Sequence, residues 1–177
     1  MIPAIETERL RLRGWSERDF EPFAAIYADE AQARYIGGPC DREDAWRRLA
    51  GVIGHWTLRG FGLWALEEKS SGAYCGWAGL WAPQGWPEPE VGWTLTLAAR
   101  GRGLATEAAL RARAYAYETL GWTTTISLIA MTNQTSIAVA ERMGARMERS
   151  IVFREVETGI FRHPDKNGNL VFERQFH

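Results

Sequence analysis

The chain has 177 residues, 46% of them hydrophobic, which is enough for one domain with a buried core and excludes a compositionally disordered protein. Its 21 basic and 22 acidic side chains give a net charge of -1, so we expect no nucleic-acid partner. No apolar run reaches the ~18 residues that span a bilayer, and Cys40 and Cys75 form neither a metal motif nor a disulfide framework. We therefore expect a single domain over residues 1–177, with no membrane partner and, because no signal-peptide pattern is present, a cytoplasmic location.

The first third of the chain predicts one strand followed by two helices. Apolar and charged residues alternate over residues 5–15, as in a strand with one solvent-facing side. Ser16 is an N-cap for a helical segment that ends at the glycines of positions 37–38. Asp41 caps a second helix, which closes near Gly60.

The middle of the chain changes to a hydrophobic period of two, which predicts three strands in a row. The strands cover residues 61–66, 74–81 and 91–97, and a proline-rich connection over residues 83–89 precedes the third of them. An alanine-rich helix follows over residues 104–120. Three successive strands favour antiparallel pairing, whereas the long helix favours a parallel crossover to the next strand.

The last third predicts a buried strand over residues 123–130, a helix over 135–143, and two further strands over 147–155 and 170–176. Turn-forming residues at positions 164–169 separate the last two strands. The complete order is strand, two helices, three strands, helix, strand, helix and two strands. We therefore predict a mixed α+β fold with a mostly antiparallel central sheet and helices on its faces.

The stretch with most chemical information joins the third strand of the middle segment to the long helix, and reads Arg-Gly-Arg-Gly-Leu-Ala over residues 100–105. Glycines bring backbone N–H groups close to a ligand, and a helix N-terminus carries a partial positive charge. The loop therefore suits a phosphate or diphosphate, with an ordinary strand-to-helix connection as the alternative. A Walker loop requires a lysine after Gly103, and a dinucleotide-binding loop requires a glycine where the chain has Thr106.

Four stretches match motifs that occur together in one enzyme family. Residues 100–105 fit the pattern Q/R-x-x-G-x-G/A, and residues 90–93 read Glu-Val-Gly-Trp. Residues 103–108 read Gly-Leu-Ala-Thr-Glu-Ala, and residues 133–136 read Asn-Gln-Thr-Ser, followed by Met-Gly at 143–144. Over nearly its full length the chain resembles the GNAT superfamily of acetyl-CoA-dependent N-acetyltransferases, and especially the branch of RimJ/RimL type that acetylates ribosomal-protein N-termini.

The resemblance implies the GNAT fold, in which the strand that binds the cofactor splays from the next one. It implies acetyl-CoA as co-substrate and no metal. The backbone from Arg102 to Thr106 would hold the coenzyme A diphosphate, and the splayed strand would hydrogen-bond the pantetheine arm. The residues implied in cofactor binding are Trp93, Leu95, Leu97, Arg100, Arg102, Gly103, Leu104, Ala105, Thr106 and Asn133.

Acyl transfer to an amine requires a base, because only a neutral amine is nucleophilic. Glu90 is the candidate base at the start of the cofactor strand, with a solvated strand-edge charge as the alternative. The amide of Leu97 or a neighbour is the candidate donor to the oxyanion. Many relatives protonate the thiolate with a tyrosine where this chain has Ala140. Ser136 is the candidate here, with helix capping as its alternative, and a thiolate of pKa about 8.5 also leaves unaided.

The acceptor site is expected to form from the first two helices, the central hairpin and the last two strands. These elements carry aromatic residues, which line small-molecule sites but are also common core residues. The three histidines, His55, His163 and His177, are isolated in sequence and indicate neither a triad nor a metal site. The aromatic candidates for acceptor binding are Tyr35, Trp56, Trp81 and Trp86.

The resemblance implies transfer of an acyl group from acetyl-CoA to a primary amine by direct attack in a ternary complex. The acceptor is a small-molecule amine or a protein N-terminus, and a homodimer is one expected state because similar proteins are commonly dimers. A non-catalytic acyl-CoA sensor on the same fold is one alternative, motivated by the missing tyrosine. A phosphotransferase is another, disfavoured by the missing Walker lysine and paired metal-binding acids.

Overall fold

The computed structural model describes residues 1–172, which form one eight-stranded sheet and five α-helices. No helix in this part of the chain is both long and apolar enough to cross a membrane. The helices are α1 (Phe20–Ala28), α2 (Glu30–Ala33), α3 (Arg42–Arg59), α4 (Leu104–Glu118) and α5 (Gln134–Arg142). The strands are β1 (Ile5–Glu6), β2 (Leu10–Arg13), β3 (Leu63–Glu68), β4 (Tyr74–Trp81), β5 (Glu90–Leu95), β6 (Ile126–Ala130), β7 (Arg146–Phe153) and β8 (Val156–Arg162).

The strands lie in the order β1-β2-β3-β4-β5-β6-β8-β7, and all neighbours are antiparallel except β5 and β6. These two are parallel because α4 connects them as a crossover. Their register contains one pair, Glu90 with Ile126, beyond which the strands separate. The predicted mixed, mostly antiparallel fold is therefore confirmed, and the sheet opens between β5 and β6.

Helix α4 packs on the centre of the sheet through a stripe of buried alanines. Ala108, Ala109, Ala112 and Ala116 lie in the same core cluster as the apolar residues of β4 and β5. Because their side chains are small, the helix backbone approaches the sheet closely. This packing fixes the start of α4 beside the carboxyl end of β5, where the glycine-containing loop lies.

The amino-terminal segment differs from the single strand predicted over residues 5–15. The hydroxyl of Thr7 accepts the N–H of Leu10 at 2.9 Å, and the N–H of Thr7 donates back to the Leu10 carbonyl at 2.9 Å. This turn divides the segment into β1 and β2, which pair as a hairpin. The helical segment predicted from Ser16 is also divided, because Asp29 ends α1 and caps α2.

The position predicted for the last strand was wrong. β7 and β8 form a hairpin whose turn is Arg154 and Glu155, with φ values of 50° and 67°. A two-residue hairpin turn of this kind usually contains Gly or Asn, so residues 154–155 lacked the expected turn signal. Residues 164–169 follow β8 instead of preceding it. Of the strand predicted over residues 170–176, positions 170–172 are not extended in a sheet and the others lie outside the described residues.

Candidate active site

The pairing of β5 with β6 ends close to Glu90, which leaves one edge of β5 facing the opening. The carbonyl of Val91 still faces β6, where it accepts the hydroxyl hydrogen of Ser127 at 2.5 Å. Alternate residues of a strand direct their backbone N–H and C=O groups to the same edge. The backbone groups of Trp93 and Leu95 therefore face the opening, without a β6 residue in register.

Glu90 lies where the two strands begin to separate. Its Oε1 accepts the indole N–H of Trp86 at 2.8 Å, and its Oε2 accepts the backbone N–H of Leu128 at 2.9 Å. Burial raises the pKa of Glu90 to about 7, although both donors act to lower it. A carboxylate with a pKa near neutrality is suited to accept and release a proton.

An aromatic wall, formed by Trp86 and Phe153, lies beside Glu90. The two rings pack edge to face, with their centroids 5.2 Å apart. The Arg154 guanidinium lies over the Trp86 ring, with Cζ 4.6 Å from the ring centroid. One indole therefore connects the carboxylate at the start of β5 to the turn between β7 and β8.

The loop between β5 and α4 leaves its backbone uncovered. Gly101 and Gly103 have φ values of 73° and 77°, which favour glycine. A Cβ added at Gly101 would meet nothing within 4 Å, and one at Gly103 would meet only the Arg9 guanidinium at 3.5 Å. Gly103 is also the N-cap of α4, so no side chain covers the N–H groups of the first turn. This turn contains Leu104, Ala105 and Thr106.

Both arginines of this loop have partners within the protein. Arg102 forms an ion pair with Glu68 at the end of β3, and its carbonyl accepts a hydrogen bond from Arg9 at 2.8 Å. The Nε of Arg100 donates to the carbonyl of Leu95 at 3.2 Å. The Arg102 side chain is therefore held by Glu68, and the loop presents its backbone.

Asn133 and Ser136 lie together at the start of α5. The Oδ1 of Asn133 accepts the backbone N–H of Ser136 at 3.2 Å, so Asn133 is the cap and Ser136 is in the first turn. The capping function considered for Ser136 therefore belongs to Asn133. Ala140 is fully buried. Leu97 is exposed and begins a short 3-10 turn, because β5 ends two residues earlier than the predicted strand.

The other aromatic residues predicted to bind the acceptor differ in environment. Tyr35 is exposed, and its hydroxyl donates to a carbonyl of the β6–α5 connection at 3.2 Å. Trp81 stacks on His55 with 4.3 Å between the ring centroids. Trp56 is 7% exposed and donates its indole N–H to a β3 carbonyl at 2.9 Å. We therefore assign Trp56 to the core instead of the acceptor site.

A buried chain of polar side chains next to the opening was not predicted. Ser127 accepts a hydrogen bond from His163 Nε2 at 2.9 Å, and His163 Nδ1 accepts one from Arg113 at 3.3 Å. Burial, reinforced by Arg113 and Arg162, lowers the pKa of His163 to about 3, so the imidazole is neutral. The available signal was Ser127 itself, because a polar residue in a buried strand requires partners. Within residues 1–172 no three His, Cys, Asp or Glu side chains are grouped to hold a metal ion.

Comparisons with known proteins agree with this architecture. The model of the acetyltransferase (GNAT) domain family matches residues 9–146. A crystal structure of an acetyltransferase from Agrobacterium tumefaciens str. C58 is similar at 32% identity, with a TM-score of 0.85 over 92% of this chain and 95% of that one. The uncharacterized protein YkkB of Bacillus subtilis (strain 168) is 28% identical over 156 residues, 83% of this chain and 87% of YkkB. RimL, a ribosomal L7/L12 alpha-N-protein acetyltransferase in complex with coenzyme A, shares the fold at 15% identity, with a TM-score of 0.77 over 91% of this chain and 97% of RimL.

Proposed function

The chain belongs to the acetyltransferase (GNAT) family, and we propose that it transfers an acetyl group from acetyl-CoA to a primary amine. The observation that carries this proposal is the opening between β5 and β6. The uncovered glycine loop lies at the carboxyl end of β5, and Glu90 lies at the amino end of the same strand. β5 therefore connects an anion site to a candidate general base.

The groups around the opening fit the chemistry of coenzyme A. The edge of β5 offers the N–H and C=O groups of Trp93 and the N–H of Leu95 to amides, as a strand edge does to an added strand, whereas the Leu95 carbonyl accepts from Arg100. The N-terminus of α4 behind Gly103 offers N–H groups to a diphosphate. Asn133 uses its Oδ1 for the cap, which leaves its amide NH2 as a donor. When bound, acetyl-CoA supplies an acyl group that is activated as a thioester.

We assign Glu90 as the base that accepts the proton of the attacking amine. In the balanced reaction, a C–N bond forms to the acyl carbon, the C–S bond breaks, and the thiolate leaves with the electrons of that bond. With a pKa of about 7, Glu90 is deprotonated in a large fraction of molecules at neutral pH. Ser136 is the proposed proton donor to the thiolate, which is also stable enough to leave without one.

The acceptor is proposed to enter on the side of Trp86, Trp81 and Tyr35. A small primary amine and a protein N-terminus both satisfy the chemistry. RimL acts on a ribosomal-protein N-terminus by its name, and this chain shares its fold. A sensor that binds acyl-CoA without turnover is the second function to be tested, because the buried Ala140 offers no proton donor.

The decisive experiment places a charge at the loop. Gly103→Asp and Gly103→Asn introduce side chains of equal size at a φ of 77°, a conformation that both residues tolerate better than other side chains. The aspartate puts an anion where the diphosphate is proposed to bind, so we expect it to weaken acetyl-CoA binding by roughly 10- to 100-fold more than the asparagine does. Calorimetric titration with acetyl-CoA measures the difference.

Turnover is measured in the same preparations from the thiol released with a panel of primary amines. The amine-dependent release of thiol supports the transferase. Tight binding with no release on any amine supports the sensor. Equal affinities of the aspartate and asparagine variants would remove the loop from the proposed site.

A further inference from the structure

The Trp86 indole contacts one acidic side chain and one cationic side chain. On one side its N–H donates to Glu90 at 2.8 Å. On its face it carries the Arg154 guanidinium, whose Cζ is 4.6 Å from the ring centroid. An acidic and a cationic side chain therefore contact the same indole, Glu90 at its N–H and Arg154 at its face, beside the site where the acceptor amine is proposed to react.

Arg154 is held in place by aromatic contacts instead of an ion pair. Its Cζ also lies 5.4 Å from the centroid of the Phe153 ring. The ion pairs of this hairpin use Arg149 and Arg162, and within residues 1–172 Arg154 makes none, although Glu155 follows it directly. A guanidinium that lies over a ring keeps the donors of its edge for a planar anion such as a carboxylate.

The backbone of the turn determines where this guanidinium lies. Arg154 has a φ of 50°, and Glu155 one of 67°, values that side chains other than Gly, Asn and Asp seldom adopt. The turn is nevertheless closed by the pairing of Phe153 with Val156. An asparagine or glycine would make the same turn with less strain, so an arginine at this position points to a role for its side chain.

We propose that Arg154 binds a carboxylate of the acceptor, so that the substrates are primary amines with a carboxylate close to the reacting nitrogen, as in free α-amino acids. This proposal rests on the proposed function. The acceptor then meets both groups with complementary charge: its ammonium faces Glu90 and its carboxylate faces Arg154. The amine loses its proton to Glu90 and forms the C–N bond, while the carboxylate stays bound and takes no part in the bond changes.

The test compares matched acceptors on matched variants. A panel of α-amino acids is assayed with acetyl-CoA beside the corresponding carboxamides, which keep the amine and lack the anion. A carboxamide has the less basic amine, so proton removal alone favours it, and a preference for the acid requires recognition of the carboxylate. We expect Arg154→Gln to raise KM for the acid by roughly 10- to 100-fold, with KM for the amide and for acetyl-CoA unchanged. Arg154→Lys, which keeps the charge without the planar fork, should retain part of the preference.

Arg146→Gln is the control, because Arg146 is exposed on the same hairpin and, among residues 1–172, its guanidinium donates only to the neighbouring Ala145 carbonyl. Equal losses for acid and amide in Arg154→Gln, or acetylation of peptide N-termini but not of free amino acids, overturn the proposal and leave the transferase intact. If no acceptor is turned over, calorimetric titration of the coenzyme A complex with the amino acids decides. Binding that Arg154→Gln abolishes upholds the carboxylate site and rejects the transferase, whereas no binding rejects the site.

Discussion

At the scale of single residues, Glu90 is subject to two opposing influences on its pKa. Burial favours the protonated carboxyl, whereas the N–H groups of Trp86 and Leu128 favour the carboxylate. Burial is the larger effect, because the pKa lies at about 7 instead of near 4.5. Trp86 is therefore a positioning residue, which orients the carboxylate and keeps its pKa from rising further.

This balance predicts the pH dependence of the reaction. The rate kcat/KM should fall below about pH 7 as Glu90 becomes protonated, and Glu90→Gln should remove that dependence together with most of the activity. Trp86→Phe removes one donor to the carboxylate, so the midpoint of the acidic limb should move to higher pH by about 1 unit. The measurement is the initial rate of thiol release from pH 5.5 to 9 at amine concentrations well below KM, which reports kcat/KM.

The control for this experiment is Trp46→Phe, because Trp46 is 60% exposed on α3 and lies far from Glu90 in the sequence. It should leave the profile unchanged. An unshifted acidic limb in Trp86→Phe would show that the indole N–H does not act on the titrating group. A limb that persists in Glu90→Gln would assign the titration to another group.

The sequence predicts candidate residues for this site better than it predicts the contacts that these residues make. Glu90 and the glycine loop were singled out by motifs that are local in the chain, and their roles remain predictions. The stacking of Arg154 on Trp86 joins two loops that are distant in the chain, so no local pattern encodes it. The hydrogen bond from Trp86 to Glu90 spans four residues of an irregular connection, which has no periodicity that would predict it. Trp56 illustrates the difficulty, because an aromatic residue has the same sequence pattern whether it lines a cleft or fills the core, and its indole N–H donates to a β3 carbonyl.

At the scale of secondary-structure elements, the separation of β5 from β6 begins at a buried hydrogen bond. Ser127 of β6 donates to Val91 of β5 at 2.5 Å, and His163 holds the serine hydroxyl from the end of β8. The next residue of β6, Leu128, donates its N–H to Glu90. The bond between Ser127 and Val91 therefore sets the distance between the strands at the point where the base lies.

Removal of this bond should loosen both the fold and the cofactor site. Ser127→Ala leaves the Val91 carbonyl and the His163 Nε2 hydrogen without their partner in a buried region, at a cost of about 3 kcal/mol in the free energy of unfolding. The dissociation constant of acetyl-CoA should rise as well. Urea denaturation and calorimetry measure the two effects, and Ser150→Ala on the exposed face of β7 is the matched control. A loss below about 0.5 kcal/mol would contradict this role for Ser127.

Most elements were predictable because their periodicity is strong, and those that were misplaced lacked local signals. β3, β4 and α4 begin or end within two residues of the predicted limits. The β1–β2 turn was missed because Thr7 closes it with a side-chain hydrogen bond and no glycine is present. The opening between β5 and β6 was expected from family resemblance, since strand separation has no periodicity of its own.

At the scale of the whole molecule, two buried groups give the stability opposite dependences on pH. The pKa of Glu90 is raised to about 7, so the stability that its buried, protonated carboxyl contributes to the fold is fully present below about pH 4.5. That stability is lost as the pH rises through 7. The pKa of His163 is lowered to about 3, so the stability that its buried, neutral imidazole contributes to the fold is present above about pH 6.5. That stability is lost as the pH falls toward 3. Between about pH 4.5 and 6.5 a rising pH therefore lowers the free energy of unfolding through Glu90 and raises it through His163.

Because these two effects oppose each other, a variant that removes one titrating group should show the pH dependence of stability that the other group causes. His163→Gln keeps a donor for Ser127 and an acceptor for Arg113 but cannot titrate. Relative to the unsubstituted chain, it should gain about 2 kcal/mol in the free energy of unfolding when the pH is lowered from 6.5 to 5. Glu90→Gln should show the reverse and gain relative stability as the pH rises from 5 to 8, because it no longer buries a charge. Urea denaturation at pH 5, 6.5 and 8 measures both, and parallel curves for all three proteins would mean that neither group titrates between the folded and unfolded states as its environment requires.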